Sequence, residues 1–256
     1  MLTSQIPVTT RREFTRQALQ SLTALALIEG LSAHRLFGRD VAPTIDAWFH
    51  DLHAISKDVA DHRVKDVAFQ KALEALYARV DLPALLKSLD FDRIAAGVNY
   101  PALGARSLPV DFTHVSGLPT NLVFGRQIFA MAKGRSVVPH GHDNMATGFI
   151  VLRGNLRGRH WDRVEDHPDH YLIRPSIDRT FKPGEFSTVS DHRDNVHWFT
   201  AETDGAFIFN VHVNHTDAGN PKNPSRVYID PLGEKVSGGL VRAPKISYGK
   251  VNQLYG

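Results

Sequence analysis

The chemistry of this chain gathers in its histidines. There are 14 in 256 residues, nine of them between His140 and His215, and there is no cysteine. Without thiolates, imidazole and carboxylate are the strong metal ligands left, a donor set that suits Zn, Fe, Cu, Ni or Mn. The same absence excludes a disulfide scaffold, a zinc ribbon, an iron–sulfur cluster and a cysteine nucleophile. The best-spaced pair is in Pro139-His140-Gly141-His142. On a strand, residues i and i+2 share a face and stand about 7 Å apart along it, so two imidazoles so placed can chelate one metal.

A scaffold for such a pair is visible around it. From about residue 104 the chain breaks into short apolar or alternating runs: 121–123, 127–132, 147–152, 156–161, 171–173, 186–189, 196–200 and 206–213. Lys133-Gly134, Arg153-Gly154-Asn155, Lys182-Pro183-Gly184 and Asp204-Gly205 punctuate them as turns. Some eight short strands at that spacing predict a mainly β fold, a small closed barrel or jelly roll, over 104–215. One more strand at 226–229 and an irregular tail are expected within 216–256. Residues 41–103 read as a helical segment packed on the barrel. Trp48, Leu52, Ile55 and Val59 form one apolar stripe, and Val64, Val67, Leu73, Leu76 and Tyr77 a second. Asp81 and Pro83 then open a short third helix over 84–89.

The N-terminus carries Thr10-Arg11-Arg12-Glu13-Phe14, a mostly apolar run over 18–28, and Leu31-Ser32-Ala33. This resembles a twin-arginine export signal, which implies removal of residues 1–33, the twin-arginine machinery as a partner, and the periplasm as destination. The competing reading is an amphipathic helix with an incidental arginine pair and a cytoplasmic protein. The run is too short for a membrane span, so no stable insertion is expected. The 30 basic and 27 acidic residues are interspersed, with no basic stripe, which argues against a nucleic-acid partner.

The stretch around His140 resembles the first cupin motif, G-x5-H-x-H-x3,4-E-x6-G. Gly134, His140, His142 and Gly154 stand where that pattern puts them, and Thr147 replaces its metal-binding glutamate. The second cupin motif, aligned on His197, has His192 for its proline, Asp194 for its second glycine and Ala201 for its asparagine. Residues 194–199 also look like the Asn-Ile-His-x-Phe stretch of the thiol dioxygenases related to cysteamine dioxygenase and the plant cysteine oxidases. Pro139 to Thr147 is similar to their Pro-x-His-x-His-Pro-Gly-Met-Thr. Asn210 replaces the aspartate of that group, its Pro-Pro-Tyr is absent, and a Cys–Tyr crosslink is ruled out.

The resemblance implies a cupin barrel with one metal on His140, His142 and His197, and His192 as the alternative third ligand. Fe(2+) is the implied cofactor, with Zn, Mn or Ni as substitutes. A three-histidine set leaves the metal its positive charge, so an anionic substrate atom and O2 can be gathered there. The expected activity is that of a non-haem iron dioxygenase-like oxidoreductase on a small substrate, thiols included. Two alternatives stay open: an exported metal- or ligand-binding cupin without turnover, and a metal-assisted isomerase, lyase or hydrolase. Cupins pair barrels edge to edge, which implies a homodimer. Secondary candidates are Arg126 as a carboxylate clamp and His212 as an acid–base group, with His160, Trp161 and Tyr171 as pocket lining. His167 and His170 read as a surface loop, and His50, His53 and His62 as solvated.

Overall fold

Thr44 opens the first helix by accepting a hydrogen bond from the Ala47 N–H at 3.3 Å. In the computed structural model, which describes residues 43–256, this helix (α1) spans Ile45–Ala60. Asp46 in its first turn and Lys57 in its last oppose the helix dipole favourably. The expected stripe is buried, joined by Phe49. Helix α2 (Asp66–Tyr77) buries Phe69, Leu73, Leu76 and Tyr77, while Val67 lies only half-buried. Helix α3 (Leu82–Ser88) starts at the expected cap, where Asp81 accepts from the Ala84 N–H at 3.1 Å with Pro83 in the first turn. A further short helix, α4 (Phe91–Ala96), precedes the β region. The export signal expected over residues 1–33 lies outside the described residues.

Twelve strands follow among the described residues: β1 (Arg106–Pro109), β2 (Gly125–Met131), β3 (Ser136–Asp143), β4 (Met145–Arg153), β5 (Leu156–Asp166) and β6 (His170–Phe181) come first. They continue as β7 (Phe186–Val189), β8 (Val196–Ala201), β9 (Ala206–Asn214), β10 (Ser225–Tyr228), β11 (Glu234–Val236) and β12 (Leu240–Pro244). They form two antiparallel sheets, ordered β1-β2-β9-β4-β7 and β10-β3-β8-β5-β6-β12-β11. The expected architecture, a mainly β jelly roll with an N-terminal helical segment, is what the two sheets build. Met131, Phe149, Leu156, Phe181, Phe199 and Ile208 fill the space between them. The helices cover the outside of the first sheet, where Gln70 and Glu74 of α2 bond Thr188 and Ser190 at the end of β7.

Two expectations need correction, and one strand was not expected. Residues 121–123 form no strand; they belong to the bend that leads into β2. The stretch after His215 is not irregular beyond one strand, because β12 pairs with β6, β11 pairs with β12, and a C-terminal helix α5 (Tyr248–Tyr255) closes the chain. Tyr255 anchors that helix, its ring 4.9 Å from that of Trp198 and its hydroxyl donating to Asp230 at 2.5 Å. Strand β1 is an added edge strand paired to β2.

Candidate metal centre

Strand β3 carries one more residue than the strand it faces. Val137 pairs with Phe199 and His140 with His197, so three steps on β3 match two on β8. The bulge falls at Val138-Pro139, where a proline withholds nothing from the ladder because it has no N–H. The added residue re-phases the strand, so that Val137, His140 and His142 all face the barrel interior. Gly141 points the other way. A Cβ there would stand 2.5 Å from Asn195 Oδ1, and Asn195 Nδ2 is committed to the His142 and Ser190 carbonyls at 2.8 and 3.0 Å. A side chain at 141 would therefore push on the carbonyl that carries His142.

The three imidazoles come together across β3 and β8. Ring centroids are 5.1 Å apart for His140 and His142, 4.2 Å for His140 and His197, and 4.8 Å for His142 and His197. One ligand nitrogen from each lies within 4.8 Å of the others. Their hydrogen bonds leave matching lone pairs. His140 Nδ1–H donates to the Val138 carbonyl at 2.8 Å, and His197 Nδ1–H to the Asn195 carbonyl at 3.3 Å. His142 Nδ1 lies 3.4 Å from Thr147 Oγ1, and its Nε2 is buried with no partner among the described residues. For His140 and His197 the carbonyl acceptors on Nδ1 fix the tautomer in which Nε2 is free to bind a metal. An orphaned buried Nε2 beside two others fits a metal ligand set better than a packed apolar core.

All three are also neutral, as ligands must be. Burial, and for His140 and His142 the neighbouring His197, hold those two well below the ordinary histidine value; burial lowers His197 to about 3. The buried Thr147 beside His142 means that no carboxylate enters here. Indeed no carboxylate lines either space around the site among the described residues.

Two neighbouring spaces share Phe129, Val137, His140 and Arg226 in their linings. The inner chamber, about 10 Å³, is lined by the three imidazoles with Thr147, Phe149, Asn210, His212 and Arg226. A cleft of about 230 Å³ lies beside it between Phe129, Tyr228, Tyr248 and Asn252. Asn210 Oδ1 accepts from Gln127 Nε2 at 3.1 Å, and Gln127 Oε1 accepts from Ser107 at 2.7 Å, which holds the Asn210 amide in place. His212 lies opposite Gly125 on β2, and a Cβ at 125 would sit 2.2 Å from His212 Nε2. Burial and then the Arg226 charge lower His212 to about 4, and its Nδ1 is buried without a partner among the described residues.

The secondary candidates separate by strand parity. His212 joins the chamber. Arg126, one residue from Gly125, pairs with Val211 on the outer face and lies 5.3 Å over the Phe112 ring, so it cannot clamp a substrate in the barrel. His192 is exposed and bonds Asp66 at 2.8 Å, away from the other imidazoles, which leaves His197 as the third member. Trp161 and Tyr171 pack in a second apolar cluster with Ile173 and Val241, on the face of the sheet opposite His197, and do not line the site. His160 does face inward, its ring 6.3 Å from that of His197 and held by Ser187, but it lies behind the chamber rather than in it. His167 and His170 stack on each other at the β5–β6 turn. His50 and His62 are exposed, but His53 is not simply solvated, since its Nδ1 is buried.

The sequence reading missed Arg226, Tyr228, Tyr248 and Asn252. The first two sit in an expected strand, at i and i+2, which was the available signal.

No family model matches the chain, and no curated protein matches it. Among solved structures, an oxalate oxidase in complex with glycolate aligns with TM-score 0.36 at 16% identity, over 52% of this chain and 58% of its own. A cupin superfamily protein from Desulfitobacterium hafniense aligns with TM-score 0.30 at 14% identity, over 47% and 86%. A double-stranded β-helix protein from Klebsiella pneumoniae gives 0.33 at 16%, over 49% and 84%. Among the described residues no helix is long and apolar enough to cross a membrane.

Proposed function

We propose that this chain is a cupin-type metalloenzyme, a non-haem iron dioxygenase-like oxidoreductase that acts on a small substrate, thiols included. The observation that carries this reading is a buried trio of neutral imidazoles, with free Nε2 lone pairs and no protein anion, at the inner end of an open cleft. His140, His142 and His197 would hold the metal, Fe(2+) first among Zn, Mn and Ni. Bound there, iron would supply the redox chemistry with O2 that no side chain of this chain can supply.

The protein's own part is positional. The Val138 and Asn195 carbonyls orient His140 and His197, and Thr147 orients His142. Phe129, Val137 and Phe149 keep bulk water from a chamber that holds about one water. His212, neutral at pH 7, offers a nitrogen at which a substrate proton can be held. Asn210, held through Gln127, can donate its amide N–H to a substrate oxygen or sulfur. Oxygen uptake by the iron-loaded protein with a panel of small thiols tests the reading. Uptake that depends on both iron and thiol is expected. No uptake by any of the iron, manganese, nickel or zinc forms would rule out thiol oxygenation and favour a binding protein or a metal-assisted isomerase, lyase or hydrolase.

Export is proposed on residues 10–33 alone, with homodimerisation as the resemblance implies. Changing Arg11-Arg12 to Lys-Lys should hold the precursor in the cytoplasm of its native host. Undiminished appearance in the periplasm would rule out the twin-arginine route.

A further inference from the structure

We propose that the site selects carboxylates, and that Arg226 is the residue that recognises them at the mouth of the chamber. This rests on the metal-centre reading for where the reacting end lies, but the recognition itself is carried by Arg226.

The placement follows from register. Strand β10 lies along the free edge of β3, with Arg226 opposite His142 and Tyr228 opposite His140. Because side chains alternate along a strand, Arg226 and Tyr228 share the face of the two inward imidazoles. Arg226 accordingly lines both the chamber and the cleft, and its charge acts on His140, His142, His197 and His212.

Its lack of a counter-charge is the second observation. Arg163, Arg193, Lys222 and Lys245 all bond carboxylates, whereas the Arg226 side chain has no carboxylate or hydrogen-bond partner among the described residues. Its guanidinium is exposed at the mouth, beside an imidazole set that carries no negative charge. The fork of N–H donors that would be satisfied by an aspartate elsewhere is left for a ligand.

The number of cations narrows the ligand. Arg226 is the one charged side chain that lines the cleft or the chamber among the described residues. A single planar fork matches a carboxylate bidentately. A phosphate offers three acceptor oxygens, of which a single planar fork engages two. An ammonium head group would meet a guanidinium and a metal, both positive. Behind the carboxylate, the rings of Tyr228 and Tyr248, 5.1 Å apart, and Phe129 wall a space of about 230 Å³. A short chain with an acid at one end and a metal-seeking atom at the other fits this arrangement.

Calorimetric titration with 3-mercaptopropionate and with its amide tests this, since the two differ only in the head group. Both are titrated into metal-free and metal-loaded protein, with inorganic phosphate as the competing anion. The acid should bind at least about tenfold tighter than the amide. In Arg226→Gln the ratio should fall to within about twofold with metal content unchanged, and Arg226→Lys should restore part of it. Equal binding of acid and amide to the native protein, or an undiminished ratio in Arg226→Gln, overturns the proposal. So does phosphate binding as tightly as the acid. If the protein takes up no metal, the metal-centre reading fails, and the acid-to-amide ratio in the metal-free protein still decides the role of Arg226.

Discussion

His140→Ala is expected to lose stoichiometric metal while the barrel still folds. Wild-type protein reconstituted and dialysed should hold about one metal per chain, as a single three-imidazole set implies, and the variant close to none. The stability measurement is as direct. A metal present at about 1,000 times its dissociation constant stabilises the native state by about 4 kcal/mol, because it binds the folded chain and not the unfolded one. For a domain of this size that is a rise in Tm of about 8–16 °C. The increment should vanish in His140→Ala, and it is the increment that counts, since the truncation also removes the bond to the Val138 carbonyl and leaves a small cavity. His192→Ala, on the exposed loop by Asp66, should keep both the metal and the increment. Full metal content in His140→Ala would break the ligand assignment, and loss in His192→Ala would revive the other third ligand.

How far each of these residues could be read from sequence depends on how local its signal is. His140 and His142 share a face by a two-residue spacing within one strand, so their partnership needs nothing beyond the chain segment itself. His197 lies opposite His140 only because β8 pairs with β3, and no local pattern states that register; the likeness to cupin motifs supplied it. Arg226 has the same difficulty in stronger form. Its strand was expected, but its position against His142 is a pairing made over more than eighty residues. Arg126 shows the opposite error. It has the right charge on an expected strand, and a shift of one residue puts it outside with Phe112 while Gln127 faces in. Strand β3 did not stand out because all eight of its residues are buried, so no polar–apolar alternation marks it, and Pro139 and Gly141 interrupt it. The C-terminal helix was obscured for another reason: Val251 is its one fully buried residue, and a single contact leaves no periodicity. The helical segment was easy by comparison, since α1 buries a whole stripe at helical spacing.

The metal-free protein should unfold in mild acid, well before its carboxylates titrate. His140, His142, His160 and His197 are buried, and burial holds each of them below the ordinary value near 6.5, His197 at about 3. A histidine whose folded pKa is depressed is silent above pH 6.5, where it is neutral in both states. As pH falls below 6.5 the unfolded chain takes up the proton and the folded one does not, so stability is lost by about 1.4 kcal/mol per pH unit per group. At pH 5 a histidine that stays neutral in the folded state contributes about 2 kcal/mol of destabilisation, so a few such groups remove a large part of a typical total of 5–15 kcal/mol. The loss continues until pH reaches the folded values. Carboxylates, with unfolded values near 4, contribute little between pH 6.5 and 5. Metal opposes the transition at neutral pH, because a nitrogen that coordinates cannot also hold a proton, and acid removes that protection along with the metal. Chemical denaturation of the metal-free chain at pH 8, 7, 6 and 5 should show stability flat above pH 7 and falling steeply below 6.5. His160→Gln, outside the ligand set, should make the fall shallower by about one proton, or 1.4 kcal/mol per pH unit. A metal-free protein equally stable at pH 8 and pH 5 would mean that these imidazoles are not held neutral by burial, and the ready-made set of lone pairs on which the metal centre depends would be lost with them.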